Sequence, residues 1–82
     1  LKVKNRLKVL LVEKEIRQKE LAEYVGVSQA TIAMIANKKA LPSLENALKI
    51  AKYLGVRVED IWWLEDDEEQ KKDDGKEQAD NR

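Results

Sequence analysis

The stretch Gln18–Asn37, QKELAEYVGVSQATIAMIAN, decides how the chain folds. Its apolar spacing predicts two short helices joined by a tight turn. In the first, Leu21, Ala22 and Val25 fall on one face, and Gly26 follows as a left-handed stop. Val27 puts an apolar side chain into the corner, and Ser28 stands where the second helix needs an N-cap. In that second helix Ile32 and Ile35 are one turn apart and form the inward pair. A small residue at Ala22 leaves room for two helices to cross closely.

Working outward, Asn5 is the expected N-cap of a first helix in which Leu7, Leu10 and Leu11 make an i, i+3, i+4 stripe ending near Glu15. Ile16 links it to the central pair. On the other side, Ser43 opens a fourth helix with the apolar stripe Leu44, Ala47, Leu48, Ala51 and Leu54, widened by Ile50 and stopped by Gly55. Val58–Trp62 predicts a short fifth helix that brings Ile61 under the bundle. Lys2-Val3-Lys4 and Trp63-Leu64-Glu65 can pair as a short antiparallel ribbon with opposite charges across it. The expected fold is therefore all-α, five helices with a two-stranded β-ribbon, over residues 1–65.

Eighty-two residues of which 43% are apolar suffice for one small core and no second one. Domains of this size bury only about 60% of their unfolded surface, so association would support them. With neither cysteine nor histidine, disulfides, thiolate metal sites and the commonest general base are excluded. No metal or cofactor is expected, and no enzyme, because the carboxylates crowd into the tail without a partner base. No apolar run is long enough to cross a bilayer. These features suit a cytoplasmic protein.

The formal net charge of zero hides an asymmetry: Leu1–Val58 carries +7 and Glu59–Arg82 carries −7. A basic body fits a nucleic-acid binder, although solvated helix faces also give a modest excess. Residues 66–82 are too polar to offset the entropy of ordering and are expected to be disordered. They read as a solubilising tail or, more sharply, as a DNA-mimicking strip that competes for the basic face.

The pattern Gln18, Leu21, Ala22, Val25, Gly26, Val27, Ile32, Ile35 and Asn37 resembles the helix-turn-helix of the lambda-repressor-like, XRE/Cro family of transcriptional regulators. The likeness continues in register through Pro42-Ser43-Leu44-Glu45, Ala47–Lys52, Gly55-Val56 and Glu59-Asp60-Ile61. Two positions depart from the family. Arg17 stands where an N-cap Ser or Thr is usual, and Lys38 stands where many relatives carry glycine.

The resemblance implies that the outer face of the second motif helix, Ser28 to about Lys38, enters the major groove of double-stranded DNA. At about 100° per residue, Gln29, Ala30, Ala33, Met34 and Asn37 face outward, opposite the isoleucines. Gln29 can form the bidentate amide pairing with adenine, Ala30 and Ala33 can meet thymine methyls, and Met34 makes apolar contacts. Gln18 at a helix start, the hydroxyls of Ser28 and Thr31, the Asn37 amide and the charges of Lys38 and Lys39 are the phosphate candidates. Lys14, Arg6 and Arg17 are secondary ones. A unit this small implies a homodimer spanning about 34 Å on a pseudo-palindromic operator, most simply as a repressor. Tyr53, Val56, Trp62 and Trp63 are the interface candidates. Two other readings share the fold: an antitoxin-type regulator with a protein partner, and a protein-interaction module that has lost DNA binding, which Ala33, Met34 and Ala36 would suit.

Overall fold

The computed structural model describes residues 2–65, so the acidic segment 66–82 and the roles expected of it lie outside the described residues. The order is β1 (Lys2–Asn5), α1 (Leu7–Glu13), α2 (Gln18–Val25), α3 (Gln29–Ala36), α4 (Leu44–Leu54), α5 (Val58–Ile61) and β2 (Trp62–Glu65). The five helices and the ribbon are those the sequence predicts. Within them several details differ.

One core joins all five helices. Leu7, Leu21, Ile32, Ile35, Ile50 and Ile61 are its most deeply buried side chains. Burying one such side chain stabilises by about 1.5–3 kcal/mol before ordering entropy is counted. Ala22, Ala36, Ala47 and Ala51 are also buried, and their small side chains let α2, α3 and α4 approach one another.

Local chemistry closes each helix. Gly26 takes φ 91° and Gly55 φ 74°, the left-handed stops their positions predict. Ser28 accepts a hydrogen bond from the Thr31 N–H at 3.1 Å, and Ser43 accepts from the Asn46 N–H at 3.1 Å. Each such cap stabilises by about 1 kcal/mol. Arg17 has no acceptor to offer as a cap. The Glu20 carboxylate partly compensates by accepting from the Arg17 backbone N–H at 3.4 Å. Asp60 does the same for Arg57 at 3.0 Å, ahead of α5.

Helix α1 ends at Glu13 rather than near Glu15. Glu15 itself adopts φ 56°, and the Ile16 N–H reaches back to the Leu11 carbonyl at 2.9 Å. This closure turns Ile16 onto the core, where it packs partly buried. A residue with a Cβ in this region costs roughly 1–2 kcal/mol. Lys38 does likewise after α3: its φ is 64°, and the Lys39 N–H bonds the Met34 carbonyl at 2.8 Å. The helix-ending geometry that glycine usually serves is therefore kept, with lysine in its place. In consequence α3 stops at Ala36, with Asn37 as its C-cap, short of Lys38.

Asn5 is not the N-cap of α1; that position is Arg6, which makes no side-chain cap bond. Asn5 lies at the end of β1, buried, and works in two directions. Its Oδ1 accepts from the Leu7 N–H at 3.1 Å, and its Nδ2 donates to the Ile35 carbonyl at 3.1 Å. One side chain thus ties the first turn of α1 to the last turn of α3.

Leu44 and Leu48, expected inside, are 73% and 54% exposed. The buried stripe of α4 is Ala47, Ile50, Ala51 and Leu54. Ile50 is its centre rather than its margin: flanked by two alanines, it penetrates furthest, and the helix is rolled so that Leu44 and Leu48 face out.

The ribbon pairs Lys2 with Glu65, Val3 with Leu64, Lys4 with Trp63 and Asn5 with Trp62. The expected charge complementarity is present, with Lys4 Nζ 3.6 Å from Glu65 Oε1. Trp62 opens β2 instead of ending α5. Its ring is 8% exposed and belongs to the core of the monomer. Its indole N–H has no acceptor among the described residues.

Candidate nucleic-acid interface

Helix α3 is held from three sides. Gly26 and Val27 both donate backbone N–H bonds to the Ala22 carbonyl, at 2.8 and 3.1 Å, which sets the corner. Ile32, Ile35 and Ala36 anchor the inner face, and Asn5 grips the Ile35 carbonyl at the far end. What remains outside is the face predicted to read bases. Gln29 and Ala30 are exposed, Ala33 is half-buried, and Met34 is 48% exposed. Ala36 is turned inward and adds nothing to that face.

The six phosphate candidates fall into three places. Gln18, half-buried, stands alone at the start of α2. Ser28 and Thr31 meet at the start of α3, where their hydroxyl oxygens lie 2.9 Å apart. One hydroxyl hydrogen is used between them, which leaves the other free to donate outward. Asn37, Lys38 and Lys39 are exposed together at the end of α3.

The surroundings of these places differ in charge. Glu15, Arg17, Lys19, Glu20 and Glu23 line a shallow groove beside the start of α2, with carboxylates outnumbering cations. The Glu20 carboxyl is held below its ordinary range by the hydroxyl of Tyr53, which donates to it, and by the Arg17 N–H. It is an anion here. At the end of α3, Asn5, Arg6, Lys8, Val9, Ala36, Asn37 and Lys38 line a second groove that contains no carboxylate.

The four interface candidates are dispersed. Trp62 is inside the monomer. Tyr53 is engaged within its own chain, its ring 4.7 Å from that of Tyr24 and its hydroxyl on Glu20. That bond raises the Tyr53 hydroxyl above its ordinary pKa of 10.0. Val56 packs partly buried against the core. Trp63 is left with 43% of its surface exposed.

Sequence reasoning missed Lys8 and the second bond of Asn5. Lys8 gives no local signal, because it sits on the polar side of an ordinary amphipathic helix. Lys49 was also unmarked; its Nζ lies 3.2 Å from Glu45 and 3.5 Å from the Val25 carbonyl, at the end of α2. The i, i+4 spacing from Glu45 is the one hint that could have found it. Among the described residues, no group of carboxylates could hold a metal ion, and no helix is long and apolar enough to cross a membrane.

Comparison with known proteins agrees with this geometry. The family model described as helix-turn-helix matches residues 7–61, from the first residue of α1 to the last of α5. An HTH-type transcriptional regulator of Methanocaldococcus jannaschii is 47% identical over 65 residues, which cover 79% of this chain and 98% of the relative. Another from Bacillus subtilis is 40% identical over 65 residues, with the same coverage. The crystal structure of a candidate DNA-binding protein from Bacteroides fragilis superposes with a TM-score of 0.70 at 36% identity, over 74% of this chain and 98% of that one. The chain belongs to the XRE/Cro-like helix-turn-helix family of transcriptional regulators.

Proposed function

We propose that this chain binds double-stranded DNA sequence-specifically, as a small cytoplasmic regulator without enzymatic activity, by laying α3 in the major groove. The observation that carries this reading is the two-sidedness of α3: Ile32 and Ile35 are held in the core while Gln29, Ala30 and Met34 stand clear of the protein. Gln29 reads an adenine edge. Ala30, Ala33 and Met34 supply apolar contacts, so much of the discrimination falls to DNA shape. Gln18, Ser28, Thr31, Asn37, Lys38 and Lys39 hold the phosphates and set the register.

The working unit in this proposal is a homodimer on a pseudo-palindromic operator, and blocking access to a promoter makes it a repressor. Of the four residues nominated for the dimer contact, the exposed Trp63 is the one the monomer leaves available. Selecting bound sites from a random duplex pool tests the proposal. Enrichment of two half-sites one helical turn apart, with an adenine preference lost in Gln29→Ala, is the expected result. A wild-type chain that enriches nothing, while remaining folded, would favour the protein-partner readings instead.

A further inference from the structure

We propose that Arg6 and Lys8, at the start of α1, form with Asn37 and Lys38 a second grip on the DNA backbone at the C-terminal end of α3. This rests on the proposed DNA-binding function and names which part of the surface supplies most of its electrostatic attraction.

Three observations carry it. The groove beside the end of α3 takes its walls from two helices: Arg6, Lys8 and Val9 on one side, Ala36, Asn37 and Lys38 on the other. Three of its lining residues are cations and none is an anion. Arg6 has one ion pair among the described residues, a 3.8 Å contact with Glu13 on partly exposed side chains. Such a pair contributes little and exchanges readily for a phosphate.

The second observation is rigidity. Asn5 forms the floor of the same groove and holds both walls, bonding the Leu7 N–H and the Ile35 carbonyl. The Arg6 backbone N–H is in turn fixed to the Ile61 carbonyl at 3.0 Å. Cations on α1 therefore keep a set position relative to α3, which phosphate contacts need if they are to fix a reading register.

The third is the contrast with the start of α2. There Glu15, Glu20 and Glu23 share the groove with Arg17 and Lys19. Phosphates approaching that side meet more carboxylates than cations, whereas those approaching Arg6, Lys8, Lys38 and Lys39 meet four cations, with the carboxylates of Glu13 and Asp60 near Arg6. The occupant that fits this collar is the sugar–phosphate strand bordering the groove that α3 enters.

The test is the salt dependence of binding of the full chain to a short random-sequence duplex. Arg6→Gln and Lys8→Gln should each lower the slope of log K against log salt by about 1, because each ends one phosphate neutralisation. Lys8→Arg should retain the wild-type slope. Lys52→Gln, on exposed α4 surface, should also leave the slope unchanged. Thermal melts matched to wild type establish that each variant is folded. Folded Arg6→Gln and Lys8→Gln proteins with the wild-type slope would overturn this grip while the DNA-binding reading stands. A wild-type chain with no salt-dependent binding would overturn both.

Discussion

The two ends of the helix-turn-helix are built to different plans. At the start of α2, the cap residue has been lost to Arg17, carboxylates surround the helix terminus, and the phosphate candidate is the neutral Gln18. At the end of α3, Lys38 takes the left-handed position where glycine is usual, and the charges lining the groove, Arg6, Lys8 and Lys38, are all positive. One end offers directional hydrogen bonds and the other offers charge. The difference teaches that, on the proposed function, long-range attraction is weighted to the end of α3, while phosphate contacts at both ends share in setting the register.

The largest effect should come from Asn5→Ala, because it cuts the tie beneath the charged end. The buried Leu7 N–H would lose its side-chain partner, costing about 1–3 kcal/mol, and the Ile35 carbonyl would keep only its bond from the Lys38 N–H. Urea unfolding should show a loss of that order, a serious fraction of the stability of a domain this small. Asn5→Asp keeps the acceptor but sets a buried carboxylate oxygen against the Ile35 carbonyl, so it should be at least as destabilising as Asn5→Ala. An unchanged midpoint in Asn5→Ala would remove the structural basis for treating α1 and the end of α3 as one unit.

Next comes the charge itself. Lys38→Glu with Lys39→Glu should reduce the salt slope of DNA binding by about 2 or more, whereas Gln18→Ala should weaken binding with little change in slope. Equal slopes for the two variants would erase the distinction between the ends. Between them, Gln29→Ala should cost about 1–3 kcal/mol against an adenine-containing site and relax preference at that one base pair. Competition binding with single-base variants of the selected site measures it.

Smaller is the trade at Lys38. Its left-handed φ strains any residue with a Cβ, so Lys38→Gly should raise thermal stability by about 1 kcal/mol while lowering DNA affinity. Gains in both would mean that this lysine touches no phosphate.

The smallest effect is the Tyr53–Glu20 bond at the other end. Glu20 is depressed in the folded state, so its contribution is present above the unfolded pKa and is lost as pH falls through the lower folded value. Tyr53 is raised, so its contribution holds below the ordinary 10.0 and is lost as pH rises through the raised value. Tyr53→Phe should return the Glu20 carboxyl toward its usual range in an NMR titration.

The parts of this molecule that could be read from sequence are those governed by neighbours a few residues away. Gly26, Ser28, Ser43 and Gly55 behave as their local chemistry demands. The ribbon is legible because Lys2 and Lys4 face Glu65 in charge across two short apolar segments. Leu44 and Leu48 face outward against the expected stripe because periodicity gives the width of an apolar stripe and leaves its rotation open. Packing of α4 around Ile50 decides that rotation. Asn5 looked like a cap because its partner at Ile35 lies thirty residues away, and no local pattern points to it. For the same reason the outer face of α3 was legible, being fixed by Ile32 and Ile35 on the same helix. The charged groove was not, since it exists only where α1 meets the end of α3.

The most direct test is an amide chemical-shift map of the full chain titrated with duplex DNA. Shifts should concentrate on Gln29, Ala30, Ala33 and Met34 and continue through Asn37–Lys39 to Arg6 and Lys8, sparing Lys52 and its exposed neighbours on α4. Shifts centred on α4 or on the Tyr24–Tyr53 pair, with α3 silent, would contradict the claim that this helix is the reader.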